Sequence, residues 1–225
     1  MHFSVKRFAA LVFLAACAAP APAQTIVFDN GNPNGVNAFT SDPTQPQFIA
    51  EGFTFNATTT FNTVRWYGVY AFGNTPTEPD AFTISFFDTT AGTLNAAPRT
   101  GETFLIGNPG RVDTGLDSFD SDIYRYEVTL STPVIMGAGT FGIEIVNDTT
   151  ADTNDIWGWA TSADTTGSFI RFTPSGEFIF VPLTNGCAFQ LINNAPVVVP
   201  EAGTVALLLP IIVGVGAVVV ARRRK

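Results

Sequence analysis

Between Gln24 and Asn194 apolar and polar residues alternate in short runs, and no window sustains the 3.6-residue period of a helix. Phe82, Ile84 and Phe86 alternate with Thr83 and Ser85, the pattern of a strand with one face buried. Tyr124, Tyr126, Val128 and Leu130 alternate with Arg125, Glu127 and Thr129; Phe141, Ile143 and Ile145 alternate with Gly142 and Glu144. Val64, Trp66 and Tyr70 share one face of another run. Shorter runs at residues 26–28, 48–55, 156–160, 169–172, 177–181 and 187–192 continue the series. Clusters of Gly, Pro, Asn, Asp and Thr separate them, and Asn-Gly-Asn-Pro-Asn-Gly at residues 30–35 reads as a turn. Roughly ten short strands punctuated this way predict an all-β fold, an antiparallel β-sandwich of jelly-roll type. Most of the chain's 21 Phe are available to fill the space between two facing sheets.

The flanking segments break this pattern. Residues 203–221 carry no charged side chain, and Pro210 is the one helix breaker among them. At ~1.5 Å per residue this stretch reaches ~29 Å, which matches a ~30 Å hydrocarbon core and predicts a transmembrane helix. Arg222, Arg223, Arg224 and Lys225 follow at once as a basic stop. Positive charge stays on the cytoplasmic side, which places the β domain beyond the membrane. On the other flank, Lys6 and Arg7 precede a short apolar stretch, residues 8–16, and Ala21-Pro22-Ala23 meets the small-x-small rule. Residues 1–23 therefore read as a secretory signal peptide, cut between Ala23 and Gln24. A rival lies within the same stretch: Leu14-Ala15-Ala16-Cys17 resembles a lipobox, in which Cys17 would be acylated. The expected organisation is signal peptide, β-sandwich at 24–192, stalk and sorting motif at 193–202, span at 203–221 and basic cytoplasmic end at 222–225.

Val199, Pro200 and Glu201, ahead of a single span and an Arg cluster, resemble the PEP-CTERM sorting signal of bacterial exported proteins. The resemblance covers residues 199–225 and departs from the family at Ala202, where the second proline of Pro-Glu-Pro would stand. It implies recognition and cleavage by a membrane-embedded exosortase, then passage to the cell surface or the exopolysaccharide matrix. The β domain is more loosely similar to uncharacterised all-β domains found ahead of such tails. Phe28-Asp29-Asn30-Gly31, Trp66-Tyr67-Gly68, Asp80-Ala81-Phe82-Thr83-Ile84 and Ala188-Phe189-Gln190-Leu191 carry that likeness. It implies a fold and no activity.

Charge narrows the partners. Residues 24–198 hold 18 acidic side chains against five arginines and no lysine, a net charge of −13. Such a surface repels nucleic acid, so no nucleic-acid partner is expected. The only histidine, His2, lies in the signal. A Ser-His-Asp or Cys-His system and a His-ligated zinc site are therefore excluded from the domain. Cys187 is the one cysteine outside the signal; it shares a face with Phe189 and Leu191 and reads as a small buried hydrophobe.

Three constellations remain as candidate sites. Asn30, Asn32, Asn34 and Gly35 imitate a calcium loop but are neutral, and the twelfth position is Ser41, so a plain turn is expected. Asp117, Asp120 and Asp122, and Asp148, Asp152 and Asp155 beside Asn154, place oxygen ligands on loops, which suits calcium. Neither set has the full spacing of a known loop, and the expectation is no cofactor. Trp157 and Trp159 flank Gly158, so both rings leave one side of a strand. They read either as a glycan-stacking platform or as core. Glu51, Glu127 and Glu144 lie on strands and are the carboxylates a two-carboxylate glycosidase would use, though nothing pairs any two of them in sequence. The expected protein is an exported, non-enzymatic structural or adhesive sandwich. A carbohydrate-binding module is the alternative, with a glycoside hydrolase behind it.

Overall fold

The computed structural model describes residues 24–45, 47–71, 76, 78–152, 154–163, 168–172, 181–182 and 185–194. The signal residues, including Cys17 and Ala23, lie outside the described residues. So do Val199, Pro200, Glu201, the span, Arg222, Arg223, Arg224 and Lys225, and most of the 177–181 run. Gln24–Asn194 makes one compact unit.

The unit is all-β and sandwich-like, built from two curled antiparallel sheets of seven strands each. The first sheet contains β1 (Gln24–Asp29), β2 (Pro33–Thr40), β4 (Thr59–Tyr70), β8 (Val112–Ser118), β9 (Ser121–Met136), β11 (Trp157–Ser162) and β14 (Phe189–Asn194). The second contains β3 (Gln47–Phe55), β5 (Phe82–Thr90), β6 (Thr93–Leu94), β7 (Thr103–Gly107), β10 (Gly139–Asn147), β12 (Ser168–Phe172) and β13 (Val181–Pro182). β4 is the spine of the first sheet. One edge pairs with β9, and the other carries β14 and then β11 in tandem. The β4–β9 register shifts beyond Phe61, where β9 carries Thr132-Pro133; proline has no N–H for the ladder, and the shift takes up the unpaired residues.

The expected alternations place their apolar members inside. Phe82, Ile84, Phe86, Phe141, Ile143, Ile145, Val64, Trp66, Tyr126 and Leu130 all belong to one core cluster between the sheets. Cys187 is buried there too. Trp66 stacks on Tyr126 with ring centroids 5.5 Å apart, and Phe82 meets Trp66, Tyr126 and Trp157 edge-on at 5.0, 4.8 and 5.1 Å. A second, smaller cluster, Tyr67, Ile123, Ala160 and Ala188, lies on the opposite face of the first sheet. There the curl brings β8 toward β2, and a Cβ on Gly35 would stand 3.1 Å from the Asp117 carbonyl oxygen.

Three expectations about local structure are corrected. The Asn-Gly-Asn-Pro-Asn-Gly turn ends at Asn32, because residues 33–40 pair with β11 as β2. Asn193 and Asn194, expected in the stalk, are the last residues of β14. Asn194 N and Nδ2 donate to Asn62 Oδ1 and Thr63 Oγ1 at 2.9 and 2.7 Å, and Asn194 pairs with Gln24. β6, β7 and β8 were not anticipated, since their sequences are rich in Thr, Gly and Asp and largely exposed.

Gly68 has a packing role that no other residue can take. The Trp157 indole lies over it, and an added Cβ would stand 2.3–2.4 Å from three of its ring atoms. Gly68→Ala should therefore destabilise the domain by about 1–3 kcal/mol through displacement of Trp157. A lower denaturant midpoint with unchanged m-value would show this; an unchanged midpoint would refute the packing argument.

Candidate functional site

The aromatic pair expected as a glycan platform is inside the protein. Trp157 and Trp159 are both 0 % exposed, and Trp159 donates its indole N–H to the Ala188 carbonyl at 3.0 Å. Both rings leave the same side of β11, as alternation requires, but that side faces the second sheet. A stacking surface cannot be made from them in this fold.

The three glutamates do not share a cleft. Glu51 points from β3 into the interior, where its Oε2 accepts the Cys187 backbone N–H at 2.9 Å. Glu144 lies on the other face of the same sheet, since its neighbours Ile143 and Ile145 face the core. Glu127 lies on the outer face of the first sheet in a polar row. Gln190 donates to Asp29 at 3.1 Å, Arg65 donates to Gln190 at 2.8 Å, and Arg65 binds Glu127 at 2.7 Å. A two-carboxylate hydrolytic site needs both groups on one side of a bound sugar, and these three occupy three different faces.

The loop oxygens mostly serve the loops themselves. Asn30 donates to the Cys187 carbonyl at 2.8 Å, and Asn34 Nδ2 to the Ser162 carbonyl at 2.8 Å. Asp148 accepts from Thr150 N and Oγ1 in its own turn. Asp148, Asp152 and Asp155 line a cavity of about 20 Å³, with Asp155 buried and Asp148 exposed. Among the described residues no three His, Cys, Asp or Glu side chains converge closely enough to hold a metal ion. Asp117 and Asp122 pair across a β-hairpin whose two turn residues, Phe119 and Asp120, have φ of 54° and 59°. That left-handed pair is the turn that matches strand twist, here without the usual Asn-Gly.

Two polar arrangements escaped the sequence reading. The first centres on Asp80, buried at one end of the sandwich. Tyr70 donates its hydroxyl to Asp80 Oδ1, and Asn147 Nδ2 donates to the same oxygen at 3.0 Å. Arg111 Nε pairs with Asp80 Oδ2 at 2.7 Å, while its remaining nitrogens donate to the Pro76 and Glu78 carbonyls. Burial, reinforced by the bond to Asp80, pushes the Tyr70 hydroxyl well above its ordinary 10.0. Burial likewise raises Tyr126. The arrangement ties the end of β4 and the end of β10 to the segments that lead into β5 and β8.

The second is a groove of about 390 Å³ on the outer face of the first sheet, lined by Asn32, Pro33, Tyr67, Val112, Asp113, Thr114, Leu116 and Arg125. Tyr67 and Arg125 stand directly opposite each other on β4 and β9. The Tyr67 hydroxyl donates to Asn32 Oδ1 at 3.3 Å. Burial raises the Tyr67 pKa, opposed by the nearby Arg65 and Arg125 charges. The scarcity of arginine, five in an acidic domain, is the sequence signal that marks Arg125. No family model matches the chain, and no curated protein is significantly similar to it.

The Asp80 network makes a pH prediction. Below about pH 10 tyrosines are neutral in both folded and unfolded chains. Above it the unfolded chain loses protons that Tyr70 and Tyr126 retain, so stability falls as pH rises. Each such proton steepens the decline by about 1.4 kcal/mol per pH unit. Thermal melts from pH 8 to 11.5 should show the decline, and Tyr70→Phe should make it shallower. Arg111→Met, which leaves the Asp80 charge buried without its partner, should cost about 3–5 kcal/mol at neutral pH; a loss under 1 kcal/mol in denaturant titration would contradict that role.

Proposed function

We propose that this protein is an exported structural or adhesive module of the cell envelope or extracellular matrix, sorted by a PEP-CTERM-like signal through an exosortase-type enzyme. The observation that carries the reading is where the buried polar groups are used. Asp80 ties Tyr70, Asn147 and Arg111 together; Asp42 accepts from Thr44, Thr149 and the Trp157 N–H; Glu51 holds the Cys187 N–H. These are groups an enzyme would aim at a substrate, and here they fasten loops and sheets to one another. Such a body suits a protein that must stay folded outside the cell, and the reading is non-enzymatic.

The tail supplies the address. The order of Val199-Pro200-Glu201, an uncharged stretch and Arg222-Arg223-Arg224-Lys225 supports a membrane-delivered, then released, domain. A jelly-roll arrangement of the sandwich belongs to the same proposal. It is supported by the frequent exchange of the chain between sheets, as in β2 to β3, β3 to β4 and β4 to β5. A second reading, sugar binding, is favoured by the Tyr67–Arg125 groove rather than by the tryptophans.

Fractionation of cells with and without the exosortase, with intact-mass analysis of each pool, tests the proposal. A membrane-held form retaining residues 203–225 should accumulate without the enzyme, and a shortened form should appear at the surface or in the matrix with it. The full chain recovered from the cytosol with residues 1–23 uncut would refute export.

A further inference from the structure

Of the four domain arginines whose side chains are described, three have acidic partners. Arg65 binds Glu127, Arg99 binds Asp88 and Glu102, and Arg111 binds Asp80. Arg125 has no ion pair among the described residues, and its Nε is buried without an acceptor. In a domain with 18 acidic side chains, an unpaired guanidinium is an exception that needs a physical account. A buried donor without an acceptor is destabilising, a state Arg125 shares with the Trp66 and Trp157 indole N–H groups of the core; what sets Arg125 apart is that it lines an open groove. Asp113 lines the same groove but makes no ion pair with Arg125, and its Oδ1 accepts the Gly115 backbone N–H at 2.7 Å.

We infer that the groove over Tyr67 and Arg125 binds a sugar unit bearing a carboxylate, a hexuronate within an otherwise neutral saccharide. The planar guanidinium fork matches a carboxylate in geometry as well as charge. The Tyr67 hydroxyl and the Asn32 amide sit beside it as partners for ring hydroxyls. Val112 and Leu116, 50 % and 45 % exposed, offer an apolar wall for the C–H face of a pyranose. About 390 Å³ falls in the range of small-molecule sites, ~300–1,000 Å³. The net charge of −13 sets the ligand's charge density. Its field is screened beyond ~8 Å at physiological salt, so one isolated carboxylate can reach Arg125 while a densely charged polyanion is repelled. The choice of a sugar over another carboxylate rests on the matrix reading above; the requirement for a carboxylate rests on Arg125 alone.

The test uses the full chain in detergent, titrated by calorimetry with cellobiouronate, with cellobiose and with glutaric acid. Cellobiouronate should bind at least tenfold more tightly than cellobiose or glutarate. Arg125→Gln should remove that preference, and Arg125→Lys should retain part of it. Because the guanidinium has no internal partner, Arg125→Gln should melt at or above the wild-type temperature. Equal binding of cellobiouronate and cellobiose, or undiminished binding by Arg125→Gln, would overturn the site. Glutarate binding as tightly as cellobiouronate would overturn the sugar and leave a carboxylate site. A marked loss of stability in Arg125→Gln would show a structural arginine instead. The fractionation experiment is read separately, so failure of export and failure of binding are distinguishable.

Discussion

Aromatic packing between the two sheets is the constraint on which the rest of this structure depends. Phe53 sits at its centre, with Phe28 and Phe189 of the first sheet at 5.5 and 6.2 Å and Phe55, Phe86 and Phe141 of its own sheet at 5.4, 6.5 and 5.9 Å. Most of these contacts are tilted or edge-on, the geometries that ring quadrupoles favour. Rings of this size hold two sheets apart at a fixed spacing and close the space between them. Gly68 is the price of that density, because the Trp157 indole needs the volume a side chain would fill.

Buried carboxylates then take over the task of fixing the loops. Asp42 accepts four hydrogen bonds, two from Thr44 and one each from Thr149 and the Trp157 N–H, and so joins the start of β11 to the segment after β2. Asp80 does the same at the end where β4, β5, β8 and β10 meet. A buried charge is costly unless it is fully hydrogen-bonded, which is why these residues are surrounded by N–H and O–H donors. The other acidic residues remain largely outside and make the surface repulsive to anions. Arg125 stands out against that background, and its groove lies on the outer face of the first sheet.

Much of the strand pattern was legible because period-two alternation survives translation into structure without distortion. The 82–86, 124–130 and 141–145 runs each bury the members that alternation assigns to one face. β2 and β8 were not legible for a physical reason. Their residues are mostly small, polar or glycine, their few apolar side chains do not alternate, and their pairing depends on β11 and β9 supplying an edge. The Phe119-Asp120 hairpin carries no Asn-Gly signal, and the pairing of Ser118 with Ser121 imposes its left-handed backbone.

The amino-acid order by itself determined the all-β character, the inward face of the long strands, the burial of Cys187 and the exclusion of histidine chemistry, because each depends on local period or on composition. Only the tertiary structure decided that Trp157 and Trp159 face the second sheet, that Glu51, Glu127 and Glu144 occupy separate faces, and that Arg125 has no ion pair among the described residues. Alternation says that two side chains share a side; it cannot say which side meets another sheet. Pairing between charges many positions apart is set by which strands become neighbours, and that choice is made by the packing of the whole core.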